Sequence, residues 1–216
     1  MAPRAVLWDI DGTLLLSEPF HFRSIRATAA DYGIELPDSF HLDMVGRSAE
    51  ETYVLICERY GLEEDFGVWV ARKYRRYVEL APRIPTRPGA IEAYHALHAA
   101  RVQQALVSNS DRLVVEANIA TMRLFQPRLV SVTINDVREG KPSPEPYLRA
   151  AYLLGLEPAH CVVVEDSPTG ACSGLAAGMR VLAWPEDPAL VFPPVVTLVA
   201  GEIAGALADL GLPVTG

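Results

Sequence analysis

Ala5-Val6-Leu7-Trp8-Asp9-Ile10-Asp11-Gly12-Thr13 joins an unbroken apolar run to two carboxylates and a glycine. Four apolar residues with no polar alternation read as a strand buried on both faces, the habit of parallel sheets. Side chains two apart on extended backbone share a face, so Asp9 and Asp11 stand together where the strand ends. Neighbouring carboxylates repel, and a hard divalent cation with oxygen ligands relieves the repulsion. Gly12 permits a sharp exit that leaves backbone N–H groups for an anion.

The same grammar recurs along the chain. Residues 102–107, apolar but for Gln103 and Gln104, end at Ser108-Asn109-Ser110. Residues 129–133 are followed by Asn135 and Asp136, and residues 161–164 by Glu165-Asp166-Ser167. Residues 180–183 end before Pro185. Helical patterns lie between these runs, at 89–100, 111–122, 144–154, 169–177 and 202–210. Strands alternating with helices imply an α/β fold with a parallel sheet and right-handed crossovers. Residues 16–85 break the alternation. They show no strand and read as three helices, about 20–32, 49–60 and 63–80, punctuated by Gly33, Gly46 and Gly61. The expected organisation is an α/β core of residues 1–15 and 86–216, interrupted by a helical unit of residues 16–85. Ligands of open α/β sheets bind outside the carboxyl ends of the strands. A unit inserted after the first strand is expected to hang over that edge as a lid.

Composition limits the partners. The chain has 216 residues, 50% of them hydrophobic, and a formal net charge of −8. An acidic chain lacks the basic face that a phosphate backbone demands, so nucleic acid is not expected as a partner. The apolar runs are strand-sized, too short for a membrane span. Asp9 and Asp11 interrupt the first apolar stretch at once, unlike a signal peptide. Three cysteines without C-x-x-C spacing suit buried thiols in a reducing compartment. A cytoplasmic location is the expectation.

Four clusters carry the chemistry. Asp9 and Asp11 form the first. Glu165 and Asp166 add a second carboxylate pair at the same edge. Ser108, Asn109 and Ser110 precede a helix, a natural phosphate cradle. Lys141 is the fourth. Only Lys73 and Lys141 are lysine among 19 basic residues, so a compact point charge is inferred to be needed at both. Phosphoryl transfer needs a nucleophile, an acid, a cation and donors for the equatorial oxygens. Asp9 suits the nucleophile, giving an aspartyl phosphate. Asp11 suits the acid that protonates the leaving alcohol and later activates water. Mg²⁺ would be held by Asp9, the Asp11 main-chain carbonyl and Asp166, with Glu165 direct or through water. Ser108 and Lys141 would bind the transferring phosphoryl oxygens. Trp184, just past the fifth strand, is read first as packing, with a place near the site or at an interface as the alternative.

At these residues the chain resembles the haloacid dehalogenase-like phosphatases, with DxDGT, a Ser after the second strand, a Lys before a helix and a terminal acidic pair in family order. The resemblance implies a Rossmann-like parallel-sheet core with an inserted all-helical cap. It is closest to small sugar-phosphate phosphatases and β-phosphoglucomutases. Ser17-Glu18-Pro19-Phe20-His21 looks like their first hinge, with Leu16 where many relatives carry Asp. Gly46-Arg47-Ser48 looks like their substrate-facing cap loop, and Lys73 like their cap lysine. The resemblance therefore implies His21, Gly46, Arg47, Ser48 and Lys73 as substrate-binding residues. Dehalogenases and phosphonate hydrolases generally lack the second Asp, so Asp11 implies an oxygen leaving group. The expected activity is Mg²⁺-dependent hydrolysis of a small phosphorylated metabolite, a sugar phosphate foremost. A hexose-phosphate mutase is the alternative, weakened by Ala49, which stands where the mutases carry an Arg for a second phosphate.

Overall fold

The structure is a computed structural model and describes residues 2–44, 47–194, 196–199 and 201–214. In chain order the elements are β1 (Ala5–Trp8), α1 (Glu18–Ala30), α2 (Phe40–Met44), α3 (Ala49–Tyr60), α4 (Phe66–Leu80), α5 (Ala90–Ala99), β2 (Gln103–Val107), α6 (Arg112–Met122), β3 (Val130–Val132), α7 (Glu145–Leu154), β4 (Cys161–Glu165), α8 (Pro168–Ala176), β5 (Arg180–Ala183), β6 (Thr197–Leu198) and α9 (Ile203–Asp209). Among the described residues, no helix is long and apolar enough to cross a membrane.

The chain divides into two compact units, Met1–Leu16 with Pro85–Gly216, and Ser17–Ile84. The first is built on a parallel sheet of order β3-β2-β1-β4-β5-β6. All four residues of β1 are fully buried, as are Cys161, Val162, Val163 and Val164 of β4. Central strands are covered on both faces, which is why their sequences do not alternate. Ala5, Leu7, Ala105, Val107 and Val163 share one apolar cluster with Tyr147, Ala150 and Ala151 of α7 and Ala171 of α8. Register matters most for function. Trp8 pairs with Leu106 on one side and Val164 on the other. The next residue on each strand is Asp9, Val107 and Glu165, so these three reach the carboxyl edge at one level.

Two short elements go beyond the sequence reading. β6 extends the sheet by two residues, and α2 adds a short helix to the second unit. Neither is long enough to set up a readable period.

The second unit has its own core, with Ile25, Ala29, Phe40, Leu55, Ile56 and Trp69 at its centre. Its helices begin on local signals. Asp65 accepts hydrogen bonds from Gly67 and Val68 N–H groups at the start of α4. Ser48 caps α3 through a reciprocal pair: its hydroxyl accepts from Glu51 N–H at 3.1 Å, and Glu51 Oε2 accepts from Ser48 N–H at 2.7 Å. Gly61 ends α3 at φ +71°. Removing the cap with Ser48→Ala is expected to cost about 1 kcal/mol of stability. Urea denaturation followed by circular dichroism measures it, and an unchanged midpoint would deny the cap its weight.

Candidate active site

Lys141 lies between Asp9 and Glu165. Its Nζ donates to Asp9 Oδ1 at 2.6 Å, to Glu165 Oε1 at 2.6 Å and to the Val107 carbonyl at 2.8 Å. An ammonium has three protons, and all three find acceptors. The backbone is fixed as firmly. Asn109 accepts from Lys141 N–H at 2.7 Å and donates to its carbonyl at 3.0 Å. Just upstream, Glu145 Oε2 accepts from the N–H groups of Arg138 and Glu139. The Asn109 side chain, expected in a phosphate cradle, is thus committed to placing Lys141.

Glu165 is fully buried and its oxygens face protein donors. Besides Lys141, the Tyr147 hydroxyl donates to Oε1 at 2.6 Å and the Ser167 hydroxyl to Oε2 at 3.0 Å. Ser167 also caps α8 by accepting from Gly170 N–H. Position 170 must be glycine: a Cβ there would stand 1.8 Å from Glu165 Oε1. Asp9 differs. Its Oδ1 takes the Lys141 proton, while its buried Oδ2 has no hydrogen-bond partner among the described residues.

Asp11 faces another set of donors. Ser108 and Ser110 hydroxyls donate to its Oδ2 at 3.1 and 2.9 Å, and Asn118 Nδ2 donates to its Oδ1 at 3.1 Å. Asn118 was absent from the sequence reading. Its signal was a polar residue on the buried face of α6, in phase with Val114, Val115 and Met122. Asp166 lies against the exit of β1. Thr13 Oγ1 stands 3.4 Å from its Oδ1, and Gly12, at φ +85°, approaches so closely that a Cβ would lie 2.1 Å from Oδ2.

The remaining expected residues belong to the helical unit. The His21 ring stacks on Tyr77 at 4.3 Å between centroids, and Lys73 is buried with Nζ 4.7 Å over the Tyr74 ring. Arg47 Nε donates to the Asp43 carbonyl at 2.7 Å, and Ser48 is the helix cap already described. Gly46 lies outside the described residues.

A divalent cation fits the core cluster. Oxygen atoms of Asp9, Glu165 and Asp166 lie within 4.8 Å of one another. The free, buried Asp9 Oδ2 is the kind of atom a cation completes, and an all-oxygen donor set suits Mg²⁺.

Residues 3–178 match the family model of the haloacid dehalogenase-like hydrolases. The chain belongs to this family. It is 34% identical to hexitol phosphatase A of Escherichia coli, over 85% of this chain and 83% of that protein. It is 32% identical to the bifunctional riboflavin kinase/FMN phosphatase of Arabidopsis thaliana, over 96% of this chain but only 54% of that longer protein. The fold is shared with CbbY of Rhodobacter sphaeroides, with a TM-score of 0.84 and 24% identity over 95% of this chain and 99% of that one.

The electrostatics of this hydrolase follow from burial. Burial pushes the Asp9 carboxyl up to about 8; Lys141 pulls it down, while Glu165 and Asp11 push it further up. Burial disfavours the charged Lys141 ammonium, but Asp9 and Glu165 overcome this and hold it above the usual lysine range. A carboxyl raised by folding binds a proton that the unfolded chain has released. Stability of the metal-free protein is therefore expected to fall as pH rises from about 4 to about 8, and to level off above. Thermal unfolding in EDTA across that range measures it, and Asp9→Asn should flatten the slope. Equal slopes in the two proteins would remove Asp9 as the responsible group.

Proposed function

We propose that this hydrolase is a Mg²⁺-dependent phosphomonoesterase that works through an aspartyl phosphate on Asp9 and acts on small phosphorylated metabolites, sugar and polyol phosphates foremost. The observation that carries this reading is the Asp9 carboxyl itself. One oxygen is fixed by Lys141 and the other is left without a partner beside two further carboxylates. Two relatives described as phosphatases, of a hexitol phosphate and of FMN, support the substrate class.

In this reading the Asp9 carboxylate attacks phosphorus as the ester P–O bond breaks and its oxygen leaves with the alcohol. Lys141 orients the Asp9 carboxylate through Oδ1 and offers positive charge to the phosphoryl group. Asp11 gives its proton to the departing alkoxide. As a carboxylate it then takes a proton from water, whose oxygen attacks phosphorus and frees Asp9 and inorganic phosphate. Ser108, Ser110 and Asn118 keep Asp11 turned to one side of the edge until the substrate competes for those donors. Asp9, Asp166 and the Asp11 main-chain carbonyl would hold the cation, with Glu165 behind Lys141. When bound, Mg²⁺ supplies positive charge against the phosphoryl oxygens and the acidic cluster.

Phosphate release from a panel of sugar, polyol and nucleotide monophosphates, with Mg²⁺ and with EDTA, tests the proposal. Release only with the cation is expected, and Asp9→Asn should abolish it. Turnover by a folded Asp9→Asn protein overturns the nucleophile, and an isomerised hexose phosphate in place of free phosphate favours a mutase. Asp11→Asn is expected to slow alkyl phosphates by about 10²–10⁴-fold. Aryl phosphates, whose leaving groups need less protonation, should lose less. Equal losses for both classes would deny Asp11 the acid role.

A further inference from the structure

Arg87, between Pro85 and Pro88, is a charged residue only 8% exposed. Its Nη1 donates to the Gly12 carbonyl at 2.9 Å and to the Trp184 carbonyl at 2.6 Å, and its Nη2 to the Pro185 carbonyl at 3.0 Å. The guanidinium carbon sits 3.8 Å over the Trp184 ring. The backbone N–H of Arg87 donates to the Leu14 carbonyl at 2.9 Å. Trp184 is anchored in turn. Its N–H donates to the Glu165 carbonyl at 2.6 Å and its indole Nε1 to the Gly201 carbonyl at 3.1 Å.

One planar cation thus ties together the two loops that flank the carboxylates. Gly12 and Leu14 follow Asp11; Trp184 is hydrogen-bonded to the strand end that carries Glu165 and Asp166. The connection to the candidate cation ligands is short. Gly12 is in van der Waals contact with the Asp166 carboxylate, so wherever Arg87 pulls the Gly12 peptide, the room left for Asp166 changes. A guanidinium can do this because its fork reaches three carbonyls while its face stacks on indole. Burying the charge is costly, and the return is a fixed distance between the two loops.

We infer that Arg87, stacked on Trp184, is a positioning residue for the cation site: it sets the separation of the Asp11–Gly12 and Trp184–Pro185 loops, and through Gly12 the placement of Asp166 relative to Asp9. The inference rests on Asp9 and Asp166 being cation ligands. Residues that hold metal ligands in place typically contribute about 10–100-fold to affinity. Arg87→Met should therefore weaken Mg²⁺ binding in that range, measured by isothermal titration calorimetry on the full chain. Turnover of a phosphomonoester should return toward the parent value as Mg²⁺ is raised, which a general loss of structure would not allow. Arg87→Lys should recover little, since an ammonium cannot span both loops and stack. Trp184→Phe should stay near the parent and Trp184→Ala should fall between, and these two serve if Arg87→Met does not fold. Parent-like Mg²⁺ affinity in folded Arg87→Met, or in both Arg87→Lys and Trp184→Ala, overturns the inference. Parent protein that binds Mg²⁺ no better than Asp166→Asn would instead overturn the cation site itself, and the inference with it.

Discussion

The Lys141 ammonium joins the three central strands at their carboxyl edge. β2, β1 and β4 arrive there in register, presenting the Val107 carbonyl, the Asp9 carboxylate and the Glu165 carboxylate, and Nζ takes one oxygen from each. A buried ammonium is tolerable only when its donors are satisfied and its charge is opposed. Here the sheet supplies both conditions, but only if its register is held: a slip of one residue would turn Asp9 and Glu165 to the opposite face. The ion pair therefore selects the register as much as the register builds the ion pair. Lys141 reaches this position because Asn109 grips its peptide from the loop after β2, so the lysine is placed by the strand next to the one it serves.

Charge then sorts the carboxylates. A single ammonium faces two buried acids, so one acid remains uncompensated inside the protein. Glu165 is not that group, because Tyr147 and Ser167 complete its coordination. Asp11 is held by neutral hydroxyl and amide donors. Asp9 carries the deficit, with one oxygen unpartnered and its affinity for a proton raised by burial. The three carboxyl groups are thus set apart by their hydrogen-bond partners. The uncompensated one also stands at the end of the central strand, at the carboxyl edge of the sheet.

What could be read in advance divides along the same physical line. Strands β1 and β4 were legible because burial on both faces leaves apolar runs with nothing polar to confuse them, and polar residues at their ends marked the edge. Lys141 stood out because lysine is scarce in a chain that otherwise uses arginine. Three contributors could not be read. Tyr147 and Asn118 act from the buried faces of helices, where tyrosine passes for core and asparagine only breaks an apolar phase. Arg87 acts across distances of 75 and 97 residues to Gly12 and Trp184, and its spacing carries no local pattern. Trp184 is buried, and the ring's partner is the Arg87 cation. Sequence shows where polar groups leave the sheet; it does not show which of them are spent on holding the others.

The interruption of the core after β1 is compatible with this precision because the two ends of the insertion meet on the core itself. Leu16 N–H donates to the Pro85 carbonyl at 3.0 Å, and Leu15 forms an antiparallel bridge with Thr86. The loop that closes the core is therefore short in space, however long the excursion Ser17–Ile84 is in sequence, and lengthening a loop whose ends are already pinned costs little. The helical unit brings an apolar centre of its own. The exit of β1 is then held twice: by the pinned neck through Leu15 and Leu16, and by Arg87 through Gly12 and Leu14. With both constraints in place, Asp9 and Asp11 sit on a turn that has little freedom to relax, and the repulsion between their carboxylates is retained in the fold as attraction for a positive charge.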